Sequence, residues 1–427
     1  MIDPIPRHLA GDLTGGDPAP DDFALAARST PLARFVLDAI DAAGGRITFE
    51  RFMALALGHP EHGYYSRAGL AWGRDGDYET SPEVHPIFGY LWARQVEQCW
   101  ERLGRPDRFA LVEPGAGSGA FAVAILTWLR ARAPACFAAT RPVILDGHPR
   151  RVAEQRAALA AAGFAAEHAL IDEWLSQPQR VTGVIISNEY FDALPVHLVE
   201  RRGDASAEWV EWYVARAADH VDGLAFVAGP PSTPQIAAHF ARLGLLPGDG
   251  ARTEVGLAAI EAMRRLAAKL ERGYLVTIDY GYAARDLYAP WRREGTLMAF
   301  RRHSPQPDPL AAPGRTDLTA HVDLTALAAA AGEGWHTAPP VTQAEALTVL
   351  GLPEALRAAA AGAAADALRF VTDRRAVAVL TDPAGLGRIR VLVMAKDAPL
   401  DGLRCLRAIE ATYASDGAAR GDERPEM

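Results

Sequence analysis

The stretch Phe109-Ala-Leu-Val-Glu-Pro-Gly-Ala-Gly-Ser-Gly119 decides the fold of this chain of 427 residues. It is an apolar run that ends in an acidic residue and continues into three glycines spaced Gly-x-Gly-x-Gly. Residues 121–129, which follow, are apolar and predict a helix. A buried strand that enters a helix through such a turn lets the backbone approach a nucleotide-like ligand, with the helix N-terminus aimed at the polar end of that ligand. Side chains at Gly115 or Gly117 would block the approach.

The same strand, turn and helix pattern recurs along the chain after residue 109. Short apolar strands separated by amphipathic helices indicate an α/β protein with a parallel, doubly wound, Rossmann-like sheet. The further strands that the pattern predicts are residues 142–146, 183–188, 274–279 and 389–394.

Two other parts of the chain have different patterns. Apolar and polar residues alternate over 196–200 and 208–213, which predicts an antiparallel hairpin inserted into the core. Thr30-Pro31 and Ser81-Pro82 each combine an N-cap hydroxyl with a proline, which predicts two helices in an N-terminal cap. An alanine-rich helix is expected over residues 354–370. The expected division is a flexible arm (1–29), a helical cap (30–105), a doubly wound core (106–195 and 273–400), an inserted antiparallel and helical subdomain (196–272) and a frayed tail (415–427).

Composition excludes several classes of protein. Charged residues make up 23% and hydrophobic residues 49% of the chain, as in ordinary globular proteins. A net charge of -9 argues against a nucleic-acid partner, because no basic field would attract phosphate. Cys99, Cys136 and Cys405 form no C-x-x-C pair, and His59 and His62 lack a nearby third ligand, so we expect no metal.

The first thirty residues contain neither a long apolar run nor a basic, transit-like composition. No stretch reaches the roughly 18 consecutive apolar residues that cross a bilayer. We therefore expect a soluble cytoplasmic protein without membrane insertion. The sequence leaves the oligomeric state open.

Two ligands are candidates for the glycine turn. Gly115, Gly117 and Ala120 satisfy the relaxed dinucleotide fingerprint G-x-G-x-x-A. The acidic residue that a dinucleotide site needs about 20 residues later is missing, since Asp146 comes well beyond that distance. Glu113 suits a cationic sulfonium ligand better than a pyrophosphate. The turn therefore favours S-adenosylmethionine, with Asp146 accepting hydrogen bonds from the ribose hydroxyls. The predicted cofactor-binding residues of the turn are Glu113, Gly115, Gly117 and Gly119.

Several motifs together resemble the MidA family, which includes mitochondrial complex I assembly-factor methyltransferases. The resemblance implies a class I methyltransferase fold and methylation of a protein arginine by S-adenosylmethionine, with a respiratory complex I subunit as the substrate in mitochondria. Ser118 stands where many relatives have Arg, and Tyr78 and Tyr190 stand where many have Phe. The chain after about residue 335 matches loosely, which leaves the substrate open. The matching segments are residues 59–66, 76–83, 88–89, 113–119, 187–196, 278–281, 295–297, 300–301 and 317–323.

Polar residues that follow the strand 183–188 are the predicted catalytic group. A carboxylate binds a guanidinium group through two parallel hydrogen bonds, so Glu189 is our first choice for holding the acceptor. Asp192 is a candidate second carboxylate, and Asn188 a candidate hydrogen-bonding partner of substrate or cofactor. The alternative is that these residues only cap the following turn.

Thr80 and Ser81 begin a predicted helix. Their hydroxyls and the exposed backbone N–H groups suit the methionine carboxylate of the cofactor or a substrate anion. Simple helix capping explains Ser81 equally well.

Three functions remain open on sequence grounds. The first is a protein arginine methyltransferase, and the second is a methyltransferase that acts on an oxygen or nitrogen of a small molecule. The third is a non-catalytic assembly factor that retains the fold, because a fold keeps its shape after its chemistry is lost.

Overall fold

The computed structural model describes residues 30–67, 80–203, 208–218, 223–301, 304–361 and 367–407. The predicted arm (1–29) and tail (415–427) lie outside the described residues, as does Tyr78. Helices and strands alternate along the described chain.

The first half contains both the N-terminal elements and the first strands of the core. Its elements are α1 (Pro31–Ala42), β1 (Arg46–Thr48), α2 (Phe49–Gly58), α3 (Ser81–Val84), α4 (Ile87–Arg102), β2 (Phe109–Pro114), α5 (Ala120–Arg132), α6 (Pro134–Ala139), β3 (Thr140–Asp146), α7 (Pro149–Ala161), β4 (Glu167–Leu170), α8 (Ile171–Ser176) and β5 (Val181–Asn188).

The second half contains the insertion and the end of the core. Its elements are β6 (His197–Arg202), β7 (Glu208–Arg216), β8 (Leu224–Gly229), α9 (Gln235–Leu243), β9 (Arg252–Val255), α10 (Leu257–Lys269), β10 (Leu270–Asp279), β11 (Gly281–Tyr282), α11 (Ala284–Leu287), β12 (Met298–Arg301), β13 (Ser304–Pro305), β14 (Asp317–Thr319), β15 (Val322–Asp323), α12 (Leu324–Ala330), β16 (Trp335–Thr337), β17 (Val341–Thr342), α13 (Gln343–Val349), α14 (Leu352–Ala361), α15 (Ala367–Thr381) and β18 (Arg390–Lys396).

The main sheet has eight strands in the order β16-β18-β10-β5-β2-β3-β4, and β17 also pairs with β18. Strands β2, β3, β4, β5 and β10 are parallel, whereas β18 runs antiparallel to β10. Helices α4 and α5 cover one face, and α10 and α12 cover the other. Burial on both faces explains the continuous apolar runs and confirms the predicted doubly wound α/β fold.

The order of the sheet reverses between β2 and β5. From β2 the chain winds outward through β3 and β4, and then returns to pair β5 with the opposite edge of β2. Crevices at the carboxyl ends of strands at such a reversal are where doubly wound folds bind ligands. The glycine turn after β2 and Asn188 at the end of β5 both lie there.

The insertion supplies four strands of a second, five-stranded antiparallel sheet. Strands β6 and β7 form the predicted hairpin, and β8 and β9 extend it. Trp209 stacks on Phe240 at a ring separation of 4.3 Å, so this aromatic is on the buried face of the hairpin.

The N-terminal segment differs from the predicted helical cap. Strand β1 pairs with β7, so α1, β1 and α2 pack with the inserted sheet, whereas α4 packs on the core against α5. A strand of three residues carries too little periodicity to be recognised from sequence.

One predicted helix is interrupted. The helix expected from Ser81 breaks at His85, which is extended because Pro86 disfavours helical geometry in the residue before it. Of the alanine-rich helix expected over 354–370, residues 354–361 lie in α14 and residues 367–370 in α15, and residues 362–366 lie outside the described residues. The closing strand is confirmed as β18.

Candidate functional site

A cavity of about 310 Å³ opens at the carboxyl ends of β2 and β5. Residues 115–118 of the glycine turn line it, whereas Gly119, which was predicted to bind the cofactor, lies outside the lining. The N–H of Gly115 donates to the carbonyl of Leu145 at 2.8 Å, which ties the turn to β3. Gly115 has φ +67°, and a Cβ atom placed there would lie 2.6 Å from Cδ2 of Tyr190. A side chain at this position would therefore enter the space between the turn and the cavity wall.

Asp146 lies at the end of β3 and also lines the cavity. One carboxylate oxygen accepts from the N–H of His148 at 3.1 Å, and the other accepts from Nε2 of Gln155 at 2.8 Å. The same Gln155 nitrogen donates to the carbonyl of Gly117 at 3.0 Å. Gln155 thus fixes the carboxylate relative to the glycine turn, while each oxygen keeps a lone pair for a hydroxyl donor.

Glu113 is 4% exposed and lines the cavity beside the turn. Burial raises the pKa of Glu113 to about 8. A cation bound next to this carboxyl group would stabilise its ionised form. The site therefore fits a positively charged ligand such as a sulfonium with its amino group.

Glu189 also lines the cavity. Its φ of +50° is a left-handed conformation that costs a residue with a side chain about 1–3 kcal/mol. One carboxylate oxygen accepts from the N–H of Ser81 at 3.4 Å and from Nδ2 of Asn188 at 2.9 Å. Burial, together with the nearby carboxylate of Asp192, raises the pKa of Glu189 to about 8.

Asn188 and Asp192, the other two predicted catalytic residues, differ in their position relative to the cavity. Asn188 lines the cavity, and its Oδ1 is buried without a hydrogen-bond partner among the described residues. Asp192 does not line the cavity; its carboxylate accepts from Oγ1 of Thr319 at 2.9 Å. Burial raises the pKa of Asp192 to about 6. Asp192 therefore raises the pKa of Glu189 from a position outside the cavity lining.

The two hydroxyl residues predicted to bind the cofactor are also separated. Thr80 lines the cavity at the start of α3. Ser81 is fully buried, and its hydroxyl donates to Oε1 of Gln343 at 2.9 Å, outside the cavity lining. Thr80 therefore remains a candidate contact, whereas the Ser81 hydroxyl is engaged elsewhere.

Several lining residues were not among the predicted site residues, including Tyr65, Ser118 and Arg151. The Ser118 hydroxyl donates to the carboxylate of Glu83, and the Tyr65 hydroxyl donates to Asp317 at 3.2 Å. Arg151 donates to the carbonyl of Tyr65 at 3.0 Å. Segments 59–66 and 76–83 signalled their importance through the family motifs, but nothing in the sequence marked Arg151.

The described residues contain no group of three or more His, Cys, Asp or Glu side chains that could hold a metal. His59 instead accepts hydrogen bonds from the N–H groups of Glu61 and His62 through its Nδ1. No helix in the described ranges has the length and hydropathy of a membrane span.

Residues 91–341 match the family described as "Putative S-adenosyl-L-methionine-dependent methyltransferase". The chain belongs to this family. The family confirms the class I methyltransferase fold and assigns S-adenosylmethionine as the cofactor, so the dinucleotide alternative is rejected.

Similar proteins support the same assignment. A structure of a COG1565 superfamily member from Burkholderia thailandensis bound to S-adenosyl-homocysteine is 31% identical; the match covers 92% of this chain and 98% of that one, with a TM-score of 0.78. The Drosophila melanogaster protein arginine methyltransferase NDUFAF7 homolog, mitochondrial, is 28% identical over 82% of each chain. The human NDUFAF7 protein is 27% identical over 77% of this chain and 75% of its own.

One expectation is contradicted by these relatives. The curated relatives from fly, frog and human are named as mitochondrial proteins, which conflicts with the predicted cytoplasmic location. The expectation rested on the first thirty residues, which lack a basic, transit-like composition, because overall composition does not distinguish the two compartments.

Proposed function

We propose that this methyltransferase transfers a methyl group to an arginine guanidinium of a protein, and that Glu189 holds the acceptor. The observation that carries the proposal is a half-buried carboxylate in the cavity lining: none of the ion pairs of the described residues involves Glu189. A buried carboxyl group without a cationic partner is costly unless a ligand supplies the charge. The relatives named as protein arginine methyltransferases support a guanidinium as that ligand.

Different residues of the cavity bind the cofactor and the acceptor. S-adenosylmethionine, when bound, supplies an activated methyl group on its sulfonium. Glu113, the glycine turn and Asp146 hold and orient the cofactor. Glu189 accepts two hydrogen bonds from the guanidinium, which concentrates electron density on the attacking nitrogen. The free Oδ1 of Asn188 accepts a further N–H, and Glu189 is the base that receives the proton lost from that nitrogen.

We further propose that the acceptor protein is a subunit of respiratory complex I. The resemblance of the family motifs to complex I assembly-factor methyltransferases supports this choice. Positioning of donor and acceptor is the main task of such an enzyme, so the substrate segment must reach the cavity with its guanidinium extended.

The test incubates the purified enzyme with S-adenosylmethionine carrying a tritiated methyl group and a protein extract from cells that lack the enzyme. We expect tritium in one or few protein bands and, after acid hydrolysis, in methylarginine. Glu189→Gln should abolish incorporation, and Glu254→Gln, a buried carboxyl group outside the cavity lining, should retain it. Label in a small molecule alone would support the small-molecule methyltransferase. Full complex I assembly in cells carrying Glu189→Gln would support a non-catalytic assembly factor.

A further inference from the structure

The main chain at Glu189 is held from the neighbouring strand. The N–H of Glu189 donates to the carbonyl of Ile278 at 2.8 Å, next to the end of β10. The left-handed φ of Glu189 turns the chain sharply at the end of β5. Without that turn, the side chain of Glu189 would leave the sheet edge in another direction.

The next residue of β10 holds the two amides that follow. Asp279 is fully buried, and its Oδ2 accepts from the N–H of Tyr190 at 3.1 Å and from the N–H of Phe191 at 2.8 Å. Its Oδ1 has no hydrogen-bond partner within the described part of the chain. Three consecutive amides, those of residues 189–191, are thus fixed by Ile278 and Asp279.

The position of Asp279 is electrostatically unfavourable. Burial, together with the nearby carboxylates of Asp192 and Glu189, raises the pKa of Asp279 well above its ordinary value. A neutral carboxyl group can still accept both N–H bonds, because both reach the same oxygen. Stability alone does not explain why a third carboxyl group is placed beside Glu189 and Asp192.

Glu254 shows what a purely structural carboxyl group looks like in this chain. It is 5% exposed and accepts from the N–H groups of Thr296 and Leu297 at 2.9 and 3.0 Å. It does not line the cofactor cavity. Glu254 therefore matches Asp279 in burial and in binding two consecutive amides, and differs in its distance from the reaction.

We infer that Asp279 is a positioning residue of methyl transfer: it fixes the left-handed turn at Glu189 and so aims that carboxylate at the acceptor. This inference rests on the proposed role of Glu189 as the residue that holds the acceptor.

The test compares Asp279→Ala, Asp279→Asn and Glu254→Ala, assayed with a pool of arginine-containing peptides and tritiated S-adenosylmethionine. Asp279→Ala should lower kcat about 100-fold and leave the KM for S-adenosylmethionine within about threefold, because misplacement by about 1 Å costs that much. Asp279→Asn keeps an accepting oxygen and should restore kcat to within about fivefold of the wild type. Glu254→Ala should lower the melting temperature as much as Asp279→Ala does and keep kcat within about threefold.

Crystal structures of Asp279→Ala and Asp279→Asn supply a readout that needs no acceptor. Residue 189 should leave the left-handed region in the first variant and keep it in the second. If Asp279→Ala does not fold, Asp279→Ser takes its place under the same thresholds.

The inference is overturned if Asp279→Ala keeps kcat within about threefold. It is also overturned if Asp279→Ala and Glu254→Ala lose kcat in parallel and Asp279→Asn rescues neither kcat nor the turn. Glu189→Gln separates this result from failure of the proposed function. An active Glu189→Gln enzyme would remove the role of Glu189, whereas an inactive one beside an active Asp279→Ala enzyme would remove only the role of Asp279.

Discussion

The cavity lining contains two sets of residues that are built in different ways: those proposed to hold the cofactor, called the cofactor end, and those proposed to hold the acceptor, called the acceptor end. The cofactor end comes largely from one contiguous stretch, Glu113 and residues 115–118, with Asp146 from the adjacent strand. The acceptor end, Asn188 and Glu189, depends on segments far apart in the chain: the N–H of Ser81 donates to Glu189, and Asp279 accepts from the two amides that follow Glu189. A binding site for a nucleotide-like cofactor can be encoded by a local turn. The direction and the protonation state of an acceptor carboxylate depend instead on neighbouring residues from other strands.

The largest expected effect on cofactor binding is that of a substitution in the glycine turn. Gly115→Ala should weaken S-adenosylmethionine binding at least about 100-fold, because the new Cβ would lie 2.6 Å from the ring of Tyr190. Gly104→Ala is the matched control, since Gly104 also has a positive φ but no atom within 4 Å of the added Cβ. It should cost about 1 kcal/mol of stability and leave binding unchanged. Calorimetric titration measures both, and equal losses in the two variants would contradict a binding role for the turn.

Glu189→Gln should impair methyl transfer at the acceptor end and leave cofactor binding intact. We expect kcat to fall about 10²–10⁴-fold, the usual contribution of a positioned acid or base, while the Kd for S-adenosylmethionine stays within about threefold. The amide keeps an oxygen that accepts from Ser81 and Asn188, so the turn should be retained. Single-turnover assays and calorimetry test this prediction, with Glu254→Gln as the control. A parallel loss of cofactor binding would show that the ends are not independent.

With S-adenosylmethionine saturating, so that Glu113 is already beside its cationic ligand, the pH dependence should report the acceptor carboxylate. Because the pKa of Glu189 is raised to about 8 and the ionised form holds a cation, kcat/KM should rise about tenfold per pH unit below pH 8 and level off above it. The residual activity of Glu189→Gln should lack this limb. A wild-type profile that is flat from pH 6 to 9 would remove Glu189 from the step.

The smallest expected effect is that of Asp192→Asn. The negative charge of Asp192 contributes to the raised pKa of Glu189, so its removal should move the acidic limb toward lower pH. The plateau kcat should fall less than about fivefold, because Asp192 lies outside the cavity lining. A loss as large as that of Glu189→Gln would instead place Asp192 in direct contact with the acceptor. Comparison of full pH–rate profiles distinguishes the two outcomes.

Much of the fold was predictable because it depends on local patterns. The strands now defined as β2, β3, β5, β10 and β18 are apolar runs buried on both faces, and the hairpin of β6 and β7 alternates. The pairing of β1 with β7 was not predictable, since three residues in the N-terminal segment carry no signal of a partner so far away. The break at His85 was visible only as the proline that follows it.

The candidate site shows the same division. Ser81 begins a helix as its sequence suggests. Its hydroxyl, however, donates to Gln343 at the start of the distant helix α13. Asp192 follows Glu189 closely in sequence, yet its carboxylate accepts a hydrogen bond from Thr319 and does not line the cavity. Sequence spacing alone does not determine which direction a side chain takes after a turn.

What the sequence by itself determined is the sheet, the glycine turn and the presence of carboxyl groups at the strand ends, because these follow from periodicity and from the conformational freedom of glycine. Only the tertiary structure decided which carboxyl groups share one cavity and how each ionises. The direction of Glu189 and its raised pKa depend on Ile278, Asp279 and Asp192, and desolvation and charge act through space regardless of order along the chain.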